Sequence, residues 1–175
     1  TLGYNLLTPP DLGSVTLNND GSYTFDPAED FQYLSEGDST EVSFNYMASD
    51  SLGIESNLAT IVILVTGVND APVSGNASVT TDEYSEFFGQ VPEPVDEDSD
   101  GIDNLGYNSD GILNPSLGAL IFNNDGSYTF DPGEDFLYLL YEESTEVNFT
   151  YTVMDVHGET SNEATIMITV MGINH

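Results

Sequence analysis

The sequence predicts an all-β protein built as two tandem antiparallel β-sandwiches, the first lacking its N-terminal strands. Three observations carry that prediction. Residues 13–70 and 118–175 are the same 58-residue block written twice, aligned without a gap at an offset of 105, with 33 of the 58 positions identical. Apolar and polar residues alternate at period two in both copies, and no stretch sustains a helical period. Turn-forming residues recur at a spacing of about 8–12, as short strands require. A repeat of about 100 residues is too long for a solenoid unit and large enough to fold alone, so the repeat is the unit to read.

The strands follow in order. Leu2–Asn5 reads LGYN and recurs as Leu105–Asn108, so each copy opens its shared part with one strand. Asn18-Asn19-Asp20-Gly21, repeated as Asn123-Asn124-Asp125-Gly126, tolerates positive φ and closes a hairpin. Val42, Phe44 and Tyr46 alternate with polar neighbours, as do Val147, Phe149, Tyr151 and Val153. Ala59, Ile61, Ile63 and Val65 form the last strand of copy one, and Ala164, Ile166, Ile168 and Val170 its equivalent. The duplicated tyrosines (Tyr23/Tyr128, Tyr33/Tyr138, Tyr46/Tyr151) read as core or tyrosine-corner residues.

The copies are unequal. Copy two carries a further strand at Ala77–Thr81, whereas copy one has only twelve residues ahead of its shared block. The expected domains are therefore 1–71, the C-terminal part of a first repeat, and 72–175, a complete second repeat. An incomplete sandwich exposes an unpaired sheet edge. The missing strands are expected either upstream in a longer parent or from another chain. With no initiator Met, signal peptide or membrane-spanning run in it, the chain reads as a piece of something larger.

Composition narrows the partners. There is no Lys or Arg against 31 acidic residues, a formal charge of −31. Nothing here can neutralise phosphate, which argues against nucleic acid and against direct binding to anionic membrane. Cations must come from outside, either as salt around a solvated acidic surface or as divalent ions held by a few acids. With no Cys, there are no disulfides, and a bound metal is the usual substitute staple. Ten Tyr and nine Phe are ample for a packed core.

Asp96-Glu97-Asp98-Ser99-Asp100-Gly101 places carboxylates at alternate positions before a Gly, like the first half of a looped Ca2+ site. The twelfth position is Tyr107, so the closing ligand must come from elsewhere. Asp50 and Asp155 follow equivalent strands, each with Gly three residues later. They are turn formers or ligands. Asn69-Asp70-Ala71-Pro72 joins the copies through a residue that stiffens the backbone.

The run NNDGSYTFDP, with STEV, the strand-end Asp, ATI and GVNDAPV after it, resembles the VCBS and cadherin-like repeats of large bacterial surface adhesins, the repeat region of the RTX type. That resemblance implies an immunoglobulin- or cadherin-like sandwich, Ca2+ near the domain junctions, and secretion to the bacterial cell surface. It implies as ligand positions an early acid (Asp82 or Glu83), Asp96 and Asp98 with Asp100 beside them, Asp155, and the linker residues Asn69 and Asp70, with Asp50 as the copy-one equivalent of Asp155. Copy one lacks the early acid and the D-x-D group, and copy two ends in Asn174-His175 where copy one has Asn69-Asp70.

The function expected is a Ca2+-stiffened structural repeat of an extracellular adhesin or filament, acting as a spacer or assembly module in adhesion or a biofilm matrix, with neighbouring repeats as its partners. One alternative is a Ca2+-dependent carbohydrate-binding module that grips polysaccharide through the unduplicated Tyr84, Phe87, Phe88 and Tyr141. Another is a filament subunit that assembles by strand exchange. No catalysis is expected, because copy one has Leu52 where His157 would complete a triad with Asp155. Far-ultraviolet circular dichroism should show a β spectrum with helix well below a fifth; a helical fraction near the one-third of average domains would overturn the reading.

Overall fold

Period-two alternation puts one face of each segment toward a core and the other toward water, and the chain forms strands wherever it occurs. The computed structural model describes residues 2–96, 98 and 105–173, and among these there are twelve strands and no helix. They fall into two compact units, one of residues through Asp70 together with Asp98, the other of residues 71–96 and 105–173.

The first unit contains β1 (Gly3–Thr8), β2 (Ser14–Leu17), β3 (Tyr23–Asp26), β4 (Ser39–Ser49) and β5 (Ala59–Thr66). β1, β4 and β5 form an antiparallel sheet in that order, and β2 pairs with β3. The β2–β3 turn is the predicted one: Asp20 Oδ1 accepts from the Ser22 N–H and hydroxyl at 3.0 and 2.7 Å. Phe31, Leu34 and Val42 are its buried core, with Phe25, Ile63 and Val65 half-buried around them.

The second unit contains β6 (Ala77–Asp82), β7 (Phe87–Gln90), β8 (Gly106–Asn108), β9 (Ala119–Phe122), β10 (Ser127–Asp131), β11 (Ser144–Met154) and β12 (Ala164–Met171). One sheet runs β6-β12-β11-β8 and the other β7-β10-β9. Every pairing is antiparallel except β6 on β12, which is parallel. The inward residues of both sheets meet in one core that includes Phe130, Phe149, Tyr151, Ile166 and Ile168. Tyr128 and Phe149 pack edge to face at 5.0 Å, and the Tyr151 hydroxyl donates to the Gly75 carbonyl at 2.7 Å.

β1 to β5 correspond in order to β8 to β12. Among the described residues, the first unit has no counterpart of β6 or β7. The consequence is read in burial. Ile166, Ile168 and Val170 are each 0% exposed, whereas their twins Ile61, Ile63 and Val65 are only partly covered. Tyr128 is 2% exposed and its twin Tyr23 is 45%. The expectation of a core role fails for Tyr33 and Tyr138, which are both exposed. They sit in the turn ahead of β4 and β11, where Phe31 and Phe136 already fill the interior.

Amide exchange should report the difference directly. The β5 amides Ile61–Val65 are expected to exchange faster than the β12 amides Ile166–Val170, although three of five residues in each run are identical, because β12 is paired on both sides and β5 on one. Equal protection in the two strands would contradict the burial difference.

Candidate metal centre

Glu83 is the first residue after β6, and the pairing of that strand decides its position. Its N–H donates to the Met171 carbonyl at 3.1 Å, continuing the β6–β12 ladder by one step. Its side-chain Oε1 accepts the Ile173 N–H at 3.2 Å. The residue is 0% exposed. Transfer of a carboxylate away from water is costly unless something compensates its charge, and this sequence contains no Lys or Arg to do so.

Asp82, the other early acid, serves the turn instead. Its Oδ1 accepts from the Tyr84 and Ser85 N–H groups at 2.9 and 2.8 Å, and Oδ2 from the Ser85 hydroxyl at 2.9 Å. The Tyr84 backbone bond above all holds the Asp82 carboxyl below its ordinary range.

Asp155 is 6% exposed at the end of β11. Its Oδ1 gathers the N–H groups of His157, Gly158 and Glu159 at 2.9, 2.7 and 2.9 Å. Asp50 builds the same loop in the first unit, accepting from Leu52 and Ile54 at 2.8 and 2.9 Å, but it stands exposed. The loop chemistry is thus common to both copies and the burial is not. The segment that precedes β6 contributes to that difference. Ser74 N–H donates to Asn162 Oδ1 at 3.0 Å, Asn162 returns a bond to the Ser74 carbonyl at 3.0 Å, and the Ser74 and Ser161 hydroxyls meet at 2.8 Å. Sequence reading missed this clamp. Its only signal was the duplicated Ser-Asn pair, Ser56-Asn57 and Ser161-Asn162.

In the first unit, Asp98 is 5% exposed and its Oδ2 accepts the Asp70 N–H at 2.9 Å. Asn69 Oδ1 and Asp98 Oδ1 are both shut off from solvent, while Asp70 is exposed. In the second unit, Asp96 follows Val95, which exchanges two backbone bonds with Val73 at 2.7 and 2.9 Å, and Asp96 Oδ2 is likewise shut off from solvent. Asp100 lies outside the described residues.

The strand register separates two of these acids. β11 runs antiparallel to β12, with Ser144 opposite Met171 and Tyr151 opposite Ala164. Glu83 is therefore beside the C-terminal end of β12 and Asp155 lies beyond its N-terminal end, about 36 Å away along the eleven residues of β11 at a rise of ~3.3 Å per residue. Among the described residues, no three acids or histidines assemble closely enough to hold a metal. The donor chemistry nevertheless fits a hard cation, because the buried groups are carboxylate and amide oxygens, which suit Ca2+.

The four aromatic candidates do not form one platform. Phe87 faces Phe130 in the β7–β10 register and packs against Tyr128 at 6.2 Å, so it is a core residue. Phe88, the next residue, faces outward and is 72% exposed. Tyr84 and Tyr141 are exposed in loops at the Met171 end of the second unit.

Comparison with known proteins bears on the family and the fold. A family model described as a bacterial cadherin-like domain matches residues 69–172, more than half of the chain. Among solved structures, human protocadherin-24 EC1-2 (form II) is 18% identical with a TM-score of 0.52, over 99% of this chain and 82% of that one. Drosophila N-cadherin EC1-4 is 12% identical with a TM-score of 0.54, over 100% and 43%, and mouse cadherin-23 EC22-24 is 16% identical with a TM-score of 0.52, over 99% and 54%. This chain thus spans less than two thirds of the last two. At these identities the likeness concerns the fold. A search of curated proteins finds no match.

A pH-dependent consequence follows from Asp82. Its folded pKa is lowered, so the stability it contributes is present above its unfolded value of ~3.9 and is lost as pH falls through the folded value. Asp82→Ala should lower the urea midpoint at pH 7. The deficit relative to the parent protein should shrink as pH drops below ~4, and a deficit independent of pH would show that the turn does not depend on the charged form.

Proposed function

The chain belongs to the family of bacterial cadherin-like domains, and from that premise we propose that it is an extracellular adhesion-type repeat whose work is mechanical: a spacer or assembly module stiffened by Ca2+. The observation that carries the calcium part is the burial of Glu83, Asp98 and Asp155 in a chain that has no Lys or Arg.

In this reading Ca2+ supplies the counter-charge that the sequence omits. Glu83 would hold one ion beside the end of β12. Asn69, Asp70 and Asp98 would take part in holding another in the first unit, and Asp96 and Asp155, with Asp100, are the remaining candidate oxygen donors. Asn69 and Asp70 lie directly ahead of Ala71 and the buried Pro72, so an ion on their oxygens would restrict the backbone where it passes from the first unit to the second. Asp50 has the loop of Asp155 without its burial, and in this reading it is a turn former only.

The protein's own residues prepare such sites in two ways. The backbone donors fix rotamers in advance: Ile173 N–H orients Glu83, Asp70 N–H orients Asp98, and three N–H groups orient Asp155. The dense surrounding acid lowers the local potential and draws cations in, an effect that salt screens over about 8–10 Å. The family match and the acid-rich, cysteine-free composition support a place in a bacterial surface protein or biofilm matrix.

Melting the protein in chelator and in millimolar Ca2+ tests the reading. A ligand bound only by the native state at about 100 times its dissociation constant adds roughly 2.7 kcal/mol, so a clear rise in melting temperature is expected with Ca2+. Glu83→Gln and Asp98→Asn should each diminish that rise. An identical rise with sodium at matched ionic strength would leave only general screening of an acidic surface.

A further inference from the structure

We infer that Asn76 is an attachment site for an N-linked sugar, presented at the start of the edge strand β6 in the second unit. Asn followed two residues later by Ser or Thr, with any residue except Pro between them, is the acceptor motif for such sugars. The chain contains it twice, as Asn76-Ala77-Ser78 and Asn148-Phe149-Thr150. Asn114-Pro115-Ser116 is ruled out by its proline. A tripeptide alone is a weak signal, and the fold is what distinguishes the two.

The register sets both motifs on the outward face of one sheet, on either side of β12. Met167 lies opposite Ser78 on one side and opposite Asn148 on the other. Their access differs. β6 is the last strand of that sheet, so Asn76-Ala77-Ser78 is paired along one edge only among the described residues, and Asn76 and Ser78 are exposed. β11 is an inner strand between β12 and β8, and Asn148 also exchanges two backbone bonds with Asn114 at 2.8 and 3.0 Å. Asn148 and Thr150 are half-buried. A transferase can grip an edge segment from its open side, whereas the inner one would require the sheet to open.

The side chain is oriented for the reaction. Asn76 Oδ1 accepts the Thr165 N–H at 2.7 Å. Only the amide oxygen can accept from a backbone N–H, so Nδ2 is the end left for another partner. Attachment uses that nitrogen alone. Nδ2 bonds to C1 of a diphosphate-activated sugar and gives up one proton, while the C1–O bond breaks and the diphosphate departs with the electron pair. Oδ1 is unchanged, so the bond to Thr165 survives. The two residues ahead of Asn76 are anchored as well, Ser74 to Asn162 and the Gly75 carbonyl to the Tyr151 hydroxyl at 2.7 Å. The sugar would therefore stand on a fixed point. Ala77–Thr81 carries no charge, and an uncharged edge strand is a template for unwanted pairing. A bulky hydrated group at its start would guard that edge. This inference does not rest on the calcium reading.

The test uses the folded full chain, made in cells without such a transferase. One arm offers a lipid-linked diphosphate sugar with a membrane oligosaccharyltransferase, the other a nucleotide-diphosphate sugar with a soluble N-glycosyltransferase. Because the chain has no Lys or Arg, cleavage at glutamate is used for mapping, which releases residues 56–83 with Asn76 and 147–159 with Asn148. In at least one arm the 56–83 fragment should gain the mass of one glycan and the 147–159 fragment none, and the productive arm identifies the donor. Ser78→Ala should abolish the gain and Ser78→Thr should keep it. Asn76→Asp retains an acceptor for Thr165, so it should lose the gain while the Thr165 amide stays protected from exchange. The inference is overturned by no gain in either arm, by a gain that survives Ser78→Ala, or by equal gain on the 147–159 fragment.

Discussion

The parallel pairing of β6 with β12 is the contact on which the second unit depends. It closes the edge of one sheet, and through the short crossover to β7 it also closes the edge of the other. With both edges closed, Ile166, Ile168, Val170 and Tyr128 lose their water. Burial of that kind is worth roughly 1.5–3 kcal/mol for each large apolar side chain relative to exposure. The first unit, with the same inward residues but neither strand among those described, shows what the contact supplies. Its apolar interior is smaller and its tyrosine stays in solvent.

The same pairing determines where acid is buried. Glu83 is the residue at which β6 leaves its ladder, and the step onto the Met171 carbonyl carries its side chain under the end of β12. Ser74, three residues ahead of β6, fastens the opposite end of that sheet to Asn162 beside the loop of Asp155. One segment thus reaches both ends of the unit and brings order to a carboxylate at each. In a chain with cationic side chains these acids would be candidates for ion pairs. Here no Lys or Arg exists to pair with, and general solvation cannot reach a group that is 0% exposed. The distribution of acid therefore has two regimes. Exposed turn acids such as Asp20 and Asp125 are satisfied by neighbouring N–H and hydroxyl groups and by water, whereas Glu83, Asp98 and Asp155 are buried and accept from backbone N–H groups.

Much of the fold was legible because its signals are local. Period-two alternation located β4, β5, β11 and β12, and the Asn-Asn-Asp-Gly turns located both hairpins. The unequal length of the two copies ahead of the shared block then pointed to a further strand at Ala77–Thr81. What could not be read was anything set by pairing between distant segments. The sequence order of Glu83, Asp96 and Asp155 says nothing about which end of a sheet each occupies, and only the register of β6 and β11 on β12 separates them. Phe87 and Phe88 are chemically alike, and one is core while the other is surface because alternate strand residues face opposite ways. Tyr33 and Tyr138 are duplicated as faithfully as Tyr46 and Tyr151, yet they are exposed. Duplication records common ancestry of a position and carries no information about its burial.

Strand pairing and ion binding are linked in this architecture by the position of Glu83. An ion that binds Glu83 only when β6 is docked on β12 must, by thermodynamic reciprocity, strengthen that docking by the same factor by which docking strengthens its binding. The strand that completes the sandwich would then be tied down by the ion at its far end, and a pull on the chain through β6 would have to break the ladder and release the ion together.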